Sequence, residues 1–170
     1  MKTFIICVLC LSLLQSCTKG RTLVDDFNNI VENNTVIEYS DIKAFNGKGR
    51  NFVYILDATC SVCVRNYCLF LKAMKSEELT LSYDSVYTIY MGDMLLLNYT
   101  LKTNDFSKLP NERYIEDVEG ELSEYYYELS GNNNVLFFVD NRLMYSASMY
   151  NYVYVKDVGI VPVEIVNNEN

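Results

Sequence analysis

Apolar and polar positions along the chain follow a strand–helix–strand rhythm. Phe52 to Leu56 is a short apolar run bounded by polar residues, which predicts a buried strand. Asp57, Ala58 and Thr59 follow, then Cys60-Ser61-Val62-Cys63. From Cys63 onward Tyr67, Phe70 and Met74 recur at helical spacing, and Val64 and Leu71 widen the stripe. A strand therefore ends and a helix begins at two cysteines, with the helix fading near Ser76 to Glu78. Ser85 to Met91 is β-branched and aromatic and predicts a second central strand. Gly92 and Asp93 end it, and Asp93 caps a helix through Met94, Leu97 and Leu101. Asn104 to Asn111, with Pro110, reads as a connector. Glu119 to Leu129 predicts a helix, Gly131 to Asn134 a turn cluster, and Val135 to Val139 a third apolar strand. Asp140 and Asn141 make a tight turn, from which Leu143 to Ala147 returns as a fourth strand.

The flanks are weaker. Leu23, Phe27, Ile30 and Val31 sit at helical spacing, so Thr22 to Glu32 predicts a first helix, broken by Asn33 and Asn34. Thr35 to Tyr39 reads as an edge strand. Ser40 and Asp41 could cap one further turn, and Asn46 to Gly49 is a loop. The tail, Tyr152 to Val166, is β-branched, contains Pro162 and reads as extended. There is no repeat and no sign of a second domain, as expected for 170 residues of which 50% are hydrophobic.

Residues 1–16 follow a different logic. Met1 and Lys2 give a short positive start, Phe4 to Leu14 is almost wholly apolar, and Ser16 is small. This is the pattern of a secretory signal, too short for a typical membrane-spanning helix. It ends in Leu13-Leu14-Gln15-Ser16-Cys17, which resembles a bacterial lipobox. Gln15 is less usual there than a small residue. The resemblance implies cleavage before Cys17 and a diacyl anchor on its sulfur; plain secretory cleavage is the alternative. Residues 17–21 would be a tether and 22–170 the folded domain. Thr18, where sorting rules would place Asp for retention in the inner membrane, favours the outer membrane.

The formal net charge is −8, and loss of Lys2 with the signal takes it to about −9. That argues against a nucleic-acid surface or a polybasic lipid patch. With no histidine in the chain, Cys–His and Ser–His–Asp mechanisms and most catalytic zinc sites are excluded. Gly47-Lys48-Gly49 is too short to be a phosphate loop. Glu116, Asp117 and Glu119 read first as a solvated helix entry and only second as the paired carboxylates of a hydrolase. The 15 tyrosines, including Tyr125 to Tyr127, read first as packing residues and second as an aromatic recognition surface for peptide or glycan.

The chemistry then concentrates in cysteine. Cys7 and Cys10 lie in the signal and Cys17 is the expected anchor, which leaves Cys60, Cys63 and Cys68. The first N–H groups of a helix lack internal partners and carry partial positive charge. A sulfur placed there is stabilised as thiolate, the reactive form. Two intervening residues bring the second sulfur one turn on, close enough to bridge the first. Such a pair suits reversible disulfide exchange, with one exposed acidic thiol and one resolving partner. A purely structural disulfide stays open beside it. A metal site is the third option, but Cys60, Cys63 and Cys68 offer only three ligands and no histidine completes them. Cys68 reads first as a buried inert thiol and second as a further resolving cysteine.

The order strand, CxxC at a helix start, helix, strand, helix and hairpin resembles the thioredoxin fold. More narrowly, the chain resembles thioredoxin-like lipoproteins of the bacterial envelope, over roughly Thr35 to Ala147. The resemblance rests on Phe52 to Cys63 and on the hairpin from Asn132 to Ser146. It implies a three-layer α/β/α domain with a mixed central sheet of about four to five strands. It also implies an attacking role for Cys60, a resolving role for Cys63, and protein thiols or disulfides as partners, with no bound cofactor or metal. Four positions depart from the family pattern. Asn134 stands where a cis-proline precedes the third central strand, and Thr59 where an aromatic often precedes the first cysteine. Tyr54 holds the position of the buried acid that assists the resolving thiol. Asp57 could substitute for that acid or could serve as a helix cap. No closing helix is evident after Tyr150. Two functions follow as expectations. One is a membrane-anchored periplasmic thiol–disulfide oxidoreductase working through Cys60 and Cys63. The other is a non-catalytic envelope lipoprotein that keeps the fold and binds a partner.

Overall fold

The computed structural model describes residues 21–32, 37–38, 48–103, 106–156 and 158–164. The secretory signal, the lipobox with Cys17 and the capped turn expected at Ser40 and Asp41 lie outside these residues. Along the chain come helix α1 (Leu23–Asn28), a 3-10 turn (Asn29–Glu32), strands β1 (Ile37–Glu38) and β2 (Arg50–Asp57), then helix α2 (Ser61–Met74). Strand β3 (Ser85–Met91), helix α3 (Met94–Thr103), strand β4 (Glu112–Glu116) and helix α4 (Glu121–Ser130) follow. The chain closes with β5 (Val135–Val139), β6 (Arg142–Ala147), a 3-10 turn (Met149–Asn151), β7 (Tyr152–Val155) and β8 (Gly159–Pro162).

Strand β2 is the axis of the fold because it is apolar on both faces, and both faces are covered. Phe52, Tyr54 and Leu56 point to the layer holding α1, α2 and α3, with the rings of Phe27, Phe70 and Tyr67 among their neighbours. Val53 and Ile55 point the other way, into a smaller core with Tyr87, Ile89, Leu136, Phe138 and Tyr126 of α4. The period-2 alternation of a strand sorts consecutive residues of one apolar run between two cores.

The main sheet has six strands in the order β1-β6-β5-β2-β3-β4. Strands β2, β3 and β4 are parallel, and β5, antiparallel to β2, turns back through a hairpin to β6. This is a mixed thioredoxin-like α/β/α arrangement, with one strand more than the upper end of the expected range. The addition is β4. Its sequence, Glu112 to Glu116, alternates charge with partly buried apolar residues and sits beyond the Pro110 connector, so it lacks the apolar run that marks a central strand. Helix α1 stops at Asn28 and the chain tightens into the 3-10 turn, where a single helix to Glu32 was expected.

From Tyr152 to Pro162 the tail is extended, as its composition predicted, and it folds into a second sheet in which β7 pairs antiparallel with β8; Val163 and Glu164 turn helical where extended chain was expected, and residues 165–166 lie outside the described residues. Tyr152 of this hairpin donates its hydroxyl to Asp26 at 2.7 Å, and Arg21 pairs with the same carboxylate. Asp26 is buried, so these partners offset the cost of placing a charge beneath α1. Lys72 of α2 lies 3.6 Å above the ring of Tyr154 and ties the hairpin to the central helix. No helix among the described residues is long and apolar enough to cross a membrane.

Candidate disulfide site

The site is assembled where β2 runs out. Asp57 turns its carboxylate back on its own chain: Oδ1 accepts from the Thr59 N–H at 2.9 Å and from the Thr59 hydroxyl at 2.6 Å. This Asx turn aims the chain into α2. Asp57 is thus a turn former ahead of the helix, and the N-cap itself is Cys60, with φ −94° and ψ 113°. The Cys60 carbonyl accepts the first helical bond from Val64 at 3.0 Å, and its sulfur accepts from the Cys63 N–H at 3.3 Å. A sulfur therefore occupies the place where a serine or aspartate oxygen normally satisfies the helix end.

Cys60 and Cys63 are joined as a disulfide with Cα atoms 5.2 Å apart, within the ordinary range for such bridges. Their surroundings differ. Cys60 is half-buried and flanked by exposed Thr59, Ser61 and Val62, whereas Cys63 is only 8% exposed. The first turn of α2 carries no acid, so no side chain there opposes the positive end of the helix dipole. Cys60 is thus the less buried residue of the pair and the one at the helix N-cap.

Four further residues close the site. Gly92 turns with φ +98° directly behind Thr59, and the Ala58 N–H donates to the Met91 carbonyl at 2.8 Å, so the end of β3 braces the loop before Cys60. The hydroxyl of Tyr150, in the second 3-10 turn, stands 2.9 Å from the Cys63 sulfur. Asn134 is buried one shell back. Its side-chain oxygen accepts from the Met149 N–H at 2.8 Å, and its amide donates to the Tyr54 hydroxyl at 3.4 Å. The described residues contain no cis peptide bond, so Asn134 follows a trans bond, in keeping with the roughly 2.5–4 kcal/mol that a cis bond before a non-proline costs. Tyr54 is fully enclosed, and burial above all pushes its hydroxyl well above the usual tyrosine range. It cannot act as a carboxylate would. Burial also raises Tyr127, and the neighbouring Tyr150 and Asp57 push in the same direction.

The sequence-derived candidates Cys60, Cys63, Asp57 and Thr59 therefore form one continuous turn. Asn134 joins it through Met149 and Tyr150 and makes no hydrogen bond to the sulfurs. Tyr150 itself carried no signal in the sequence beyond being one of many tyrosines. The third cysteine, Cys68, is free, and burial pushes its thiol upward. It lines a 430 Å³ groove between α2 and α3 with Val64, Leu69 and Leu96. Among the described residues no group of three or more His, Cys, Asp or Glu side chains could hold a metal ion. Set against models of protein families, curated proteins and solved structures, the chain matches none.

Proposed function

We propose that the protein is a thiol–disulfide exchange protein of the bacterial envelope, acting on protein thiols or disulfides through Cys60 and Cys63. The observation that carries this reading is the asymmetry of the pair. A partly buried cysteine caps a helix whose first turn has no acid, and its bonded partner is more deeply buried. In the oxidising direction a substrate thiolate attacks Cys60, the Cys60–Cys63 bond breaks and a mixed disulfide forms. A second substrate thiolate then attacks the substrate sulfur of that bond, which oxidises the substrate and leaves Cys60 as thiolate. In the reducing direction Cys60 attacks a substrate disulfide and Cys63 resolves the mixed species. The reduction potential decides between them, and about 30 mV is worth 1.4 kcal/mol for this two-electron couple.

The same proposal includes an address. Leu13 to Cys17 supports cleavage before Cys17, lipidation of its sulfur and residence at the outer membrane facing the periplasm. Replacement of Cys17 by Ser would then leave the chain in the soluble envelope fraction.

The decisive experiment is catalysed reduction of insulin, or of a fluorescent disulfide-linked peptide, with Cys60→Ser as control. Activity abolished by that substitution supports exchange. Wild-type protein that performs no better than the variant removes it and leaves a non-catalytic binding module with a structural bridge. Asn134, in a trans linkage beneath the Tyr150 turn, favours that second reading, because the docking proline of the thioredoxin resemblance is missing.

A further inference from the structure

The enclosed sulfur of the pair has one polar side-chain neighbour whose position is fixed from the core. Tyr150 Oη lies 2.9 Å from Cys63 Sγ, although half of the tyrosine side chain faces solvent. The turn that carries it is pinned twice. The Met149 N–H donates to Asn134 Oδ1 at 2.8 Å, and the Asn151 N–H donates to the Ser148 carbonyl at 3.0 Å. Asn134 is itself immobilised by the sheet, donating its N–H to the Ala147 carbonyl at 3.2 Å and accepting from the Ile55 N–H at 2.9 Å. Met149 is fully buried and anchors the turn by packing.

We infer that Tyr150 is a catalytic residue of the Cys60–Cys63 couple, donating its hydroxyl to the Cys63 sulfur when that sulfur is charged, and that Asn134 is the positioning residue that holds it there. The inference rests on the exchange reading for what the Cys63 thiolate does, and on the geometry alone for the contact. When a substrate thiolate attacks Cys60 Sγ, the Cys60–Cys63 bond breaks and the electron pair leaves on Cys63. The phenol is already within hydrogen-bond distance, and a donor binds a thiolate more strongly than it binds a disulfide sulfur. In the reverse step Cys63 releases its proton to solvent, and the same hydrogen bond stabilises the resulting thiolate. That thiolate attacks Cys60 of the mixed disulfide, the Cys60–Cys63 bond re-forms and the substrate thiolate departs. A buried carboxylate would assist by taking the Cys63 proton. A phenol assists by holding the anion, so no acid is required where Tyr54 stands.

The test separates this chemistry from the exchange reading. Full-length chain purified in detergent and carrying Cys60→Ser keeps Cys63 as a free thiol. The pH dependence of iodoacetamide labelling at Cys63 is then read by mass spectrometry, with and without Tyr150→Phe. A hydrogen bond to a charged group is worth about a tenfold factor or more, so the labelling midpoint should rise by about one pH unit. Asn134→Ala should move it in the same direction while Tyr150 is still present. With both cysteines intact and at a pH above the Cys63 midpoints of both proteins, Tyr150→Phe should shift the equilibrium with dithiothreitol about tenfold toward the disulfide, or about 30 mV. An unchanged Cys63 midpoint in Tyr150→Phe overturns the inference, whatever Asn134→Ala does. A shifted midpoint in a protein that exchanges with no added disulfide would sink the oxidoreductase reading and leave the Tyr150 contact standing.

Discussion

Gly92→Ala probes the brace behind the disulfide loop. Gly92 has φ +98°, and a Cβ built there would lie 2.7 Å from Thr59 Cγ2, 3.4 Å from the Thr59 nitrogen and 3.6 Å from Ala58 Cβ. The left-handed backbone costs an L-residue roughly 1–2 kcal/mol. The approach to Thr59 adds about 1–2 kcal/mol, because the obstructing methyl belongs to a side chain already fixed by its hydroxyl on Asp57. The stiffer unfolded chain of the alanine variant returns about 0.4–1 kcal/mol. A net loss of about 1–3.5 kcal/mol remains, and at roughly 2–4 °C per kcal/mol for a chain of this size the melting temperature should fall by about 2–14 °C. Relief of the clash displaces Thr59 and with it the residue that leads into Cys60. The disulfide should therefore be reduced faster by dithiothreitol than in the parent protein. Differential scanning calorimetry and the rate of reduction at fixed reductant measure the two effects. A variant that melts with the wild type would refute the close approach of the β3–α3 turn to the cysteine loop. A destabilised variant with an unchanged reduction rate would refute its control over Cys60.

Other expectations concern stability. Burial disfavours the charged form of Asp117, yet hydrogen bonds from Ser123, Leu122 and Gly120 outweigh it and hold the carboxyl below its ordinary value. A carboxylate with a depressed folded pKa contributes stability that is present above the unfolded pKa and lost as pH falls through the folded one. Asp117→Asn should therefore cost about 1 kcal/mol at neutral pH, and denaturant melts in acid should bring variant and parent together. Phe52→Ala removes a fully buried ring packed tilted or edge-on against Phe27, Phe70, Tyr83 and Phe137, and should cost about 3–5 kcal/mol in urea unfolding. Tyr114→Phe removes the hydroxyl 2.9 Å from Tyr67 and should cost about 1 kcal/mol by the same assay, since Tyr67 retains Glu112 and Thr88.

What the sequence discloses and what it hides divide along the range of the interactions involved. Phe52 to Leu56 is legible because a strand covered on both faces reads as a near-continuous apolar run, and Ser85 to Met91 because it is β-branched and aromatic. The Cys60 helix start is legible because turn, cap and amphipathic stripe all lie within a few residues. Strand β4 is hidden: Glu112 looks like solvated charge, but its carboxylate accepts from Thr88 at 2.8 Å and from the Leu109 N–H at 3.1 Å. Those partners come from another strand and from the connector, so no local pattern announces them. Asn134 is legible as a departure from the thioredoxin pattern. Its task, holding Met149 and thereby Tyr150, depends on a contact made only after the β5–β6 hairpin has closed. The extended tail is legible as extended, while its docking through Tyr152 onto Asp26 depends on a residue 126 positions earlier.

The two margins of the six-stranded sheet bear on life at high local concentration. One margin is β1, described over Ile37–Glu38. The other is β4, where Glu112, Arg113 and Glu116 place charges of both signs along the last strand. The charged β4 margin does not offer a long, neutral backbone rail onto which a neighbouring molecule could add its own strand. The sheet thereby keeps its most adhesive strands, Phe52 to Leu56 and Val135 to Val139, inside and away from its rim.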